Sequence, residues 1–499
     1  MILDALQSVT TPTCLLLMLV GIVVGIAFGS VPGLTSTMAV ALCLPLTYKM
    51  STEVGIAFLI SLYVGGISGG LIAAILINIP GTPASVATCF DGAPMAKNGE
   101  AGKALGVGIC ASVCGTILSI VALIFIAPTL ARLALKFGPY EYFAVSIFAL
   151  TMISSLISDS ILKGITAAVL GVLVSLFGIA PTGGTLRFTF GFQELNLGFN
   201  TLPVLIGLFA VAEVFTYSMQ TPVSGDDMQI MDYKIKGFGF SIAEAKSQAW
   251  NCLRSALIGI GIGILPGIGG GTSNIVSYSV AKQQSKYPEK FGTGIIDGVV
   301  ASEAANNASI GGALIPLLTL GIPGDAVTAI LLGGLVMKGI NPGPLLFTNS
   351  GTLVYGIFFA LIISTIMMFG IEFFGIRMFV NVLRVPKYYL LPVVMSLCCV
   401  GTFGVNSRIF DVWASLIFGV VGFLLTRFHF PVSPFILGFL LGEVVEQNLI
   451  RSIQYASDSV IAAYLQAPIA MVFLGISFVL VAYKSYKGIS KKRTETKAD

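Results

Sequence analysis

Apolar runs long enough to cross a bilayer succeed one another along almost the whole chain: 13–29, 54–79, 104–127, 140–157, 160–179, 200–221, 251–265, 295–322, 351–380, 386–401, 409–426, 431–446 and 460–483. With 10% of residues charged and 56% hydrophobic, most of the chain cannot face water. The same balance excludes a disordered chain, a collagen-like repeat and a disulfide scaffold. A transmembrane barrel would show short segments of alternating polarity instead of continuous apolar ones. The fold class is an all-α polytopic membrane protein. A span needs about 20 apolar residues, and the runs give roughly 11–13 transmembrane segments.

The net charge of +4 is small and points to no nucleic-acid partner. Its placement says more. The last run is followed by Lys484, Lys487, Lys491, Lys492, Arg493 and Lys497. Basic residues beside a membrane end are held in the cytoplasm, so the C-terminus is expected inside. The start, MILDALQSVTTPT, lacks a basic signal-peptide region, and the first helix is expected to be a retained span. The eight cysteines mostly sit inside apolar runs without histidines at metal spacing, and they read as small apolar residues. The single His429, beside Arg427, reads as a loop residue. No resident metal and no organic cofactor is expected.

Shorter apolar pieces follow Pro-Gly steps at Pro32-Gly33, Pro80-Gly81, Pro266-Gly267 and Pro323-Gly324. Proline removes a backbone donor and clashes with the preceding turn, and glycine opens conformations closed to other residues. Each pair therefore breaks a helix at membrane depth. Freed backbone groups survive there only when buried in protein or lining a wet cavity. A single break is explained by a simple kink, but these four form a pattern. The first and third are separated by 266 − 32 = 234 residues, the second and fourth by 323 − 80 = 243. Glycine-rich approaches also correspond: Gly69-Gly70 precedes INIPGTP and Gly311-Gly312 precedes LGIPGD. The chain thus reads as two related membrane halves, 1–222 and 253–458. A polar cytoplasmic connector with an amphipathic segment (223–252) joins them, and a final helix with a basic tail (459–499) follows. Parallel and inverted arrangements are both open at this stage; inverted is preferred.

Paired, interrupted hydrophobic segments in two halves mark a secondary transporter's binding site. Bare N–H groups at a helix start suit an anion, and bare carbonyls suit a cation. The candidate substrate-binding residues are therefore Asn78, Pro80, Gly81, Thr82 and Pro83 at one tip, with Asn306, Asn307, Pro323, Gly324 and Asp325 for the other. The candidate cation-binding residues are Gly33, Leu34, Gly267, Gly269 and Glu303. Small polar residues also serve as hydrogen-bonding glue between membrane helices, which is the plain alternative for any one of them. Asp91 and Lys97, in DGAPMAKNGEAGKA, read as a solvated loop, and 282–291 as a charged, solvated connector. No phosphate-binding loop is present, which argues against an ATP-driven pump, and one loop histidine cannot support a Ser/His/Asp set. The chain is not expected to be an enzyme.

Over nearly its whole length the chain resembles the large membrane subunit of the tripartite tricarboxylate transporters, the TctA family. The matching strings are long and unusual. They include GSVPGLTSTMAVALCLPLTYKM (29–50), SLYVGGISGGLIAAILINIPGTPASVATCFDGAPMAKNGEAGKALG (61–106), ILPGIGGG (264–271) and FGTGIIDGVVASEAANNASIGGALIPLLTLGIPGD (291–325). The resemblance implies a multi-pass protein of the bacterial inner membrane. Its expected partners are a small membrane subunit and a periplasmic solute-binding protein, with room for a homodimer. It implies import of citrate or related organic carboxylates by symport with Na⁺ or H⁺. The alternative is a passive carboxylate channel or a membrane scaffold subunit.

Overall fold

The computed structural model describes residues 1–157, 160–219, 239–382, 387–456 and 459–495. The expected boundaries at 222 and 458 lie outside the described residues. The long helices are numbered in chain order. The first half holds α1 (Pro12–Ser30), α2 (Ser36–Cys43), α3 (Thr52–Leu76), α4 (Val86–Met95), α5 (Ala101–Ala134), α6 (Pro139–Ile157), α7 (Ile161–Ser175) and α8 (Thr201–Ser218). The second holds α9 (Ala249–Gly263), α10 (Gly269–Gln284), α11 (Ile296–Leu320), α12 (Ala326–Met337), α13 (Gly351–Val382), α14 (Lys387–Asn406), α15 (Ile409–Arg427) and α16 (Val432–Tyr455), and α17 (Pro468–Glu495) ends the chain. A two-residue antiparallel ladder, Gly178–Ile179 against Leu186–Arg187, is the one sheet among the described residues. The protein is an all-α polytopic membrane protein. Seven described helices are long and apolar enough to cross a membrane; others counted as spans in the sequence are shorter or more polar.

Local chemistry places the breaks. Pro32-Gly33 and Pro266-Gly267 are the centres of tight turns, with Leu34 N bonded to Val31 O (3.0 Å) and Ile268 N to Leu265 O (3.4 Å). Gly33 and Gly267 have φ of 89° and 77°, which a turn with proline second and glycine third requires. The second pair of breaks works differently. α3 and α11, each of 25 residues, end on left-handed residues two positions before the proline, Asn78 (φ 55°) and Gly321 (φ 71°). Asparagine and glycine are the residues that adopt this cap most readily. Gly81 and Gly324 are needed for close approach. A Cβ on Gly81 would overlap the Gly29 carbonyl, and one on Gly324 would lie 2.6 Å from the Gly263 carbonyl.

α3 and α11 are almost wholly buried and form the centre. α3 packs on α1 of its own half and α13 of the other; α11 packs on α9 of its own half and α5 of the other. The two run in opposite directions. Gly92 on α4 lies against Ile75, near the end of α3. Its neighbour Asp91 accepts hydrogen bonds from the N–H groups of Gly292 (2.9 Å), Gly294 (2.8 Å) and Ile295 (3.0 Å), just before α11 begins. At the opposite face, Lys338 Nζ donates to the carbonyls of Tyr48 (2.9 Å) and Met50 (2.6 Å), just before α3. Gly343 N there reaches the Leu318 carbonyl near the end of α11 (3.2 Å). The face bearing the start of α11 is called the first face here, the other the second.

One expectation is corrected by this arrangement. Asp91 is no solvated loop residue: it is fully buried on α4, and also accepts from Tyr278 Oη (2.8 Å). The connector at 282–291 is exposed through Lys290, as expected, apart from the half-buried Ser285, and its last residue, Phe291, is buried. The course of α17 follows from ring contacts. Tyr464 packs edge-on against Tyr140 (5.0 Å), and Phe473 lies tilted against Phe148 (5.2 Å). α17 therefore runs with α6, from the second face to the first.

Candidate functional site

Most of the residues singled out in the sequence meet where elements of the two halves cross. The tip after Pro80-Gly81 opens with a short turn, Pro83–Ser85, that leads into α4. It abuts the start of α10. Asn274 donates its amide N–H to the Ala84 carbonyl. A Cβ on Gly270 would lie 3.2 Å from Ala84 Cβ and 2.6 Å from Asn306 Oδ1, and one on Gly271 3.5 Å from the Pro83 carbonyl. Two helix starts from different halves thus converge beside Asn306, and a run of three glycines, Gly269-Gly270-Gly271, leaves one of those backbones bare. Helix starts carry N–H groups without intrahelical partners and the positive end of the dipole.

The side chains around this point have unspent hydrogen-bonding capacity. Thr82 Oγ1, Asn274 Oδ1, and both Oδ1 and Nδ2 of Asn306 are buried and have no hydrogen-bond partner among the described residues. Asn307 Oδ1 and Ser277 Oγ, on the same two helices, share this condition. Buried polar groups are almost always paired, because an unmade bond costs about 1–3 kcal/mol. Several such groups at one crossing are a site built to receive something polar. The bare backbone tips, the Thr82 and Ser277 hydroxyls and Asn306 Nδ2 can donate to an anionic oxygen group, whereas the amide oxygens of Asn274, Asn306 and Asn307 can only accept and suit a cation or a donor.

The second tip is closed. Asp325 caps α12: Thr328 N donates to its Oδ1 (2.7 Å), and so does Thr328 Oγ1 (2.7 Å). Tyr63 on α3 donates its hydroxyl to Oδ2. Gly269 faces Asp325, where a Cβ would lie 2.8 Å from Asp325 Cβ. Pro323 and Asp325 line a small internal gap with Gly267 and Ser433.

Glu303 is not beside the turns at 31–34 and 265–268. It faces α4 and α5, where Thr88 Oγ1 donates to Oε1 (2.5 Å) and Ser112 Oγ (3.1 Å) and Asn307 Nδ2 (3.3 Å) donate to Oε2. Leu34 is packed in the apolar core, and a Cβ on Gly267 would run into the side chain of Ile153. Asn78 is exposed; its visible contribution is the left-handed cap.

Sequence reading missed three groups. Tyr63 lies 80 − 63 = 17 residues before its proline, as Asn306 lies 323 − 306 = 17 before its own, so the two hold matching places relative to their breaks. Asn274 lies in TSN, one turn into α10. Glu372, a carboxylate inside the run at 351–380, is fully buried on α13; Ser68 Oγ donates to its Oε2 (2.9 Å), and its Oε1 is without a partner among the described residues. Intramembrane charge alone should have flagged it. On the second face a cavity of about 680 Å³ is lined by residues that include Tyr142, Ser146, Ser175, Asn341 and Glu446, and it reaches Gly321 and Ile322 at the second break.

Comparison with known proteins gives this geometry its setting. The chain is 34% identical over 487 residues to an uncharacterized 52.8 kDa protein from the TAR-I ttuC' 3' region of Agrobacterium vitis, covering 98% of this chain and 96% of the relative. An uncharacterized protein from the TAR-II ttuC' 3' region of the same organism is 35% identical over 234 residues, covering 47% of this chain and 96% of the relative. No solved structure matches. The family model for the tripartite tricarboxylate transporter TctA family matches residues 15–437, a span that takes in all four breaks and the crossing of the two halves, and the chain belongs to that family of transporter subunits.

Proposed function

We propose that the chain is the large permease subunit of a binding-protein-dependent, cation-coupled importer of organic carboxylates. The observation that carries this reading is the pair of buried donors without an acceptor, the Thr82 hydroxyl and Asn306 Nδ2, beside two helix starts. A substrate carboxylate there accepts from bare backbone N–H groups, the Thr82 hydroxyl and the Asn306 amide. No Lys or Arg takes part in these contacts, so desolvation of the anion is offset by dipoles and by a co-transported cation. Glu303 and Glu372 are the groups suited to that cation. Both are buried and have only neutral hydrogen-bond partners among the described residues. A buried carboxylate in that condition takes a proton or sits with Na⁺.

The opposed directions of α3 and α11 favour an inverted repeat. The first face carries the polar connector, the ends of α4 and α10 and the basic C-terminal tail, and by charge placement it is cytoplasmic. The wide cavity of the second face then opens toward the periplasm of a bacterial inner membrane. There a solute-binding protein would deliver substrate, with a small membrane subunit alongside.

The test is uptake in proteoliposomes holding the chain with its small subunit and binding protein. Radiolabelled citrate, succinate and benzoate are offered under imposed Na⁺ or pH gradients. Uphill accumulation of one of them, abolished by collapsing the gradient and sharply weakened by Asn306→Leu, supports the reading. Flux indifferent to both gradients points to a passive channel, and absence of flux to a scaffold; either outcome refutes it.

A further inference from the structure

The two second breaks are equivalent in sequence register but differ in what completes them. Thr82 and Asp325 each stand two residues after the proline, Ser85 and Thr328 five after it, and Tyr63 and Asn306 seventeen before it. Both tips use the same backbone clasp: Thr82 N donates to Ser85 Oγ (3.3 Å) and Asp325 N to Thr328 Oγ1 (2.8 Å). In the second half the remaining members of the set are joined through a carboxylate. Asp325 accepts from Thr328 N, Thr328 Oγ1 and the Tyr63 hydroxyl. In the first half the Thr82 hydroxyl and Asn306 Nδ2, the groups that can donate to a carboxylate, have no partner among the described residues. What joins the set in one half is the chemical group missing from the other.

The geometry points to Asp325 as a built-in carboxylate that fills, at the second tip, the anion position a substrate carboxylate takes beside Thr82 and Asn306 at the first. This inference rests on the carboxylate reading of the first tip. It also narrows the substrate. With the second tip taken by the protein's own side chain, an organic acid engages the crossing through one carboxylate. A residue at 325 too small to reach Tyr63 would leave two anion tips. Asp325 is thereby a specificity-determining residue that does not itself touch the substrate.

Small-anion complementation tests this on the full chain purified in detergent. Asp325→Gly removes the internal carboxylate and leaves Tyr63 and the start of α12 without an acceptor, so its melting temperature falls below that of the wild type. Formate at about 100 mM should then raise it by about 2 °C or more beyond any rise seen in the wild type, with sodium chloride as the ionic-strength control. Asp325→Asn keeps the position filled and should show only the wild-type response. Asp325→Ser, a smaller perturbation, provides the same readout should the glycine variant not be recovered folded. Formate responses equal in wild type, glycine and serine variants overturn the inference. Wild-type uptake is a separate measurement: its absence would refute the transport reading, whereas equal formate responses with intact wild-type uptake refute the role of Asp325 alone.

Discussion

Neighbouring asparagines on α11 should respond to the same substitution with opposite signs. Asn307 spends its amide N–H groups on Ser112 Oγ (2.8 Å), the Glu303 carbonyl (3.1 Å) and Glu303 Oε2 (3.3 Å). Asn306 makes no hydrogen bond of good geometry through Oδ1 or Nδ2, although it is fully buried and its amide lies toward the Glu303 carboxylate. Leucine at 307 removes donors from a buried carboxylate and a buried hydroxyl, at a cost of about 2–3 kcal/mol. Leucine at 306 removes two groups that were desolvated without compensation, a relief of about 1–3 kcal/mol. Methyl groups crowding the bare backbone at Gly270 offset part of that, by up to about 1 kcal/mol. Asn306→Leu should therefore melt at or above the wild-type temperature in ligand-free detergent, and Asn307→Leu clearly below it. Binding runs the other way for position 306. Loss of one hydrogen bond to a charged carboxylate, about 1.5–3 kcal/mol, weakens apparent uptake affinity roughly 10- to 150-fold. Thermal unfolding of the purified variants and the substrate dependence of uptake in proteoliposomes measure the two halves of the argument. If Asn306→Leu melts as low as Asn307→Leu and its uptake affinity is unchanged, Asn306 is interhelical glue and the site is misassigned.

Four further outcomes follow from contacts elsewhere. Glu372→Gln, a mimic of the protonated acid, should leave substrate counterflow near wild type and abolish gradient-driven accumulation; accumulation that persists would remove Glu372 from coupling. Asp91→Ala orphans three backbone N–H groups and the Tyr278 hydroxyl, so it should lower stability by about 3 kcal/mol or more and speed hydrogen exchange at 292–295. Gly81→Ala and Gly324→Ala drive a methyl into the Gly29 and Gly263 carbonyls and should each cost at least about 1–3 kcal/mol, seen as poor yield of folded protein. The surface pair of Lys103 and Glu244 (2.7 Å), with the Ser241 cap, holds the Glu244 carboxyl down to about 2. Its small contribution should be constant from pH 7 to 5 and decline progressively as pH falls from about 4.5 toward 2, which a pH series of Lys103→Gln against wild type would show as a difference that closes over that lower range.

The breaks could be read from the sequence because proline and glycine act on the backbone directly, whatever surrounds them. Pro32-Gly33 and Pro266-Gly267 need no tertiary context to become turns, and the spacings of 234 and 243 are what lead to the expectation of a repeat. The partners of a side chain are another matter. Asp91 sits in a string of small and polar residues that looks like a loop, and it is buried because three N–H groups from a segment some 200 residues away converge on it. Glu303 went to the wrong neighbours for the same reason: its nearest breaks in sequence are Pro266 and Pro323, but the crossing of halves gives it Thr88 and Ser112. Glu372 was legible and overlooked, since a lone carboxylate in a long apolar run has only functional or paired fates. Tyr63 became visible once the register of the repeat was applied to side chains as well as to breaks.

The neutrality of the crossing has a kinetic logic under the transport reading. An arginine paired with the carboxylate would hold it by a bidentate, charge-assisted contact, and a substrate held that tightly leaves slowly, since differences in affinity appear mainly in the dissociation rate. Helix starts and the neutral groups of Thr82 and Asn306 bind an anion less strongly, and their strength depends on whether a cation sits near Glu303 or Glu372. Binding is then strong when the cation is present and weak when it leaves, which is the differential affinity that a gradient needs in order to move substrate in one direction. A permanently charged side chain at Thr82 or Asn306 would remove that difference. Thr82→Lys should accordingly bind carboxylates in detergent with reduced dependence on Na⁺ or pH and accumulate less of them in vesicles. Tighter, cation-independent binding together with undiminished uphill uptake would show that the neutral cradle is not what couples the two.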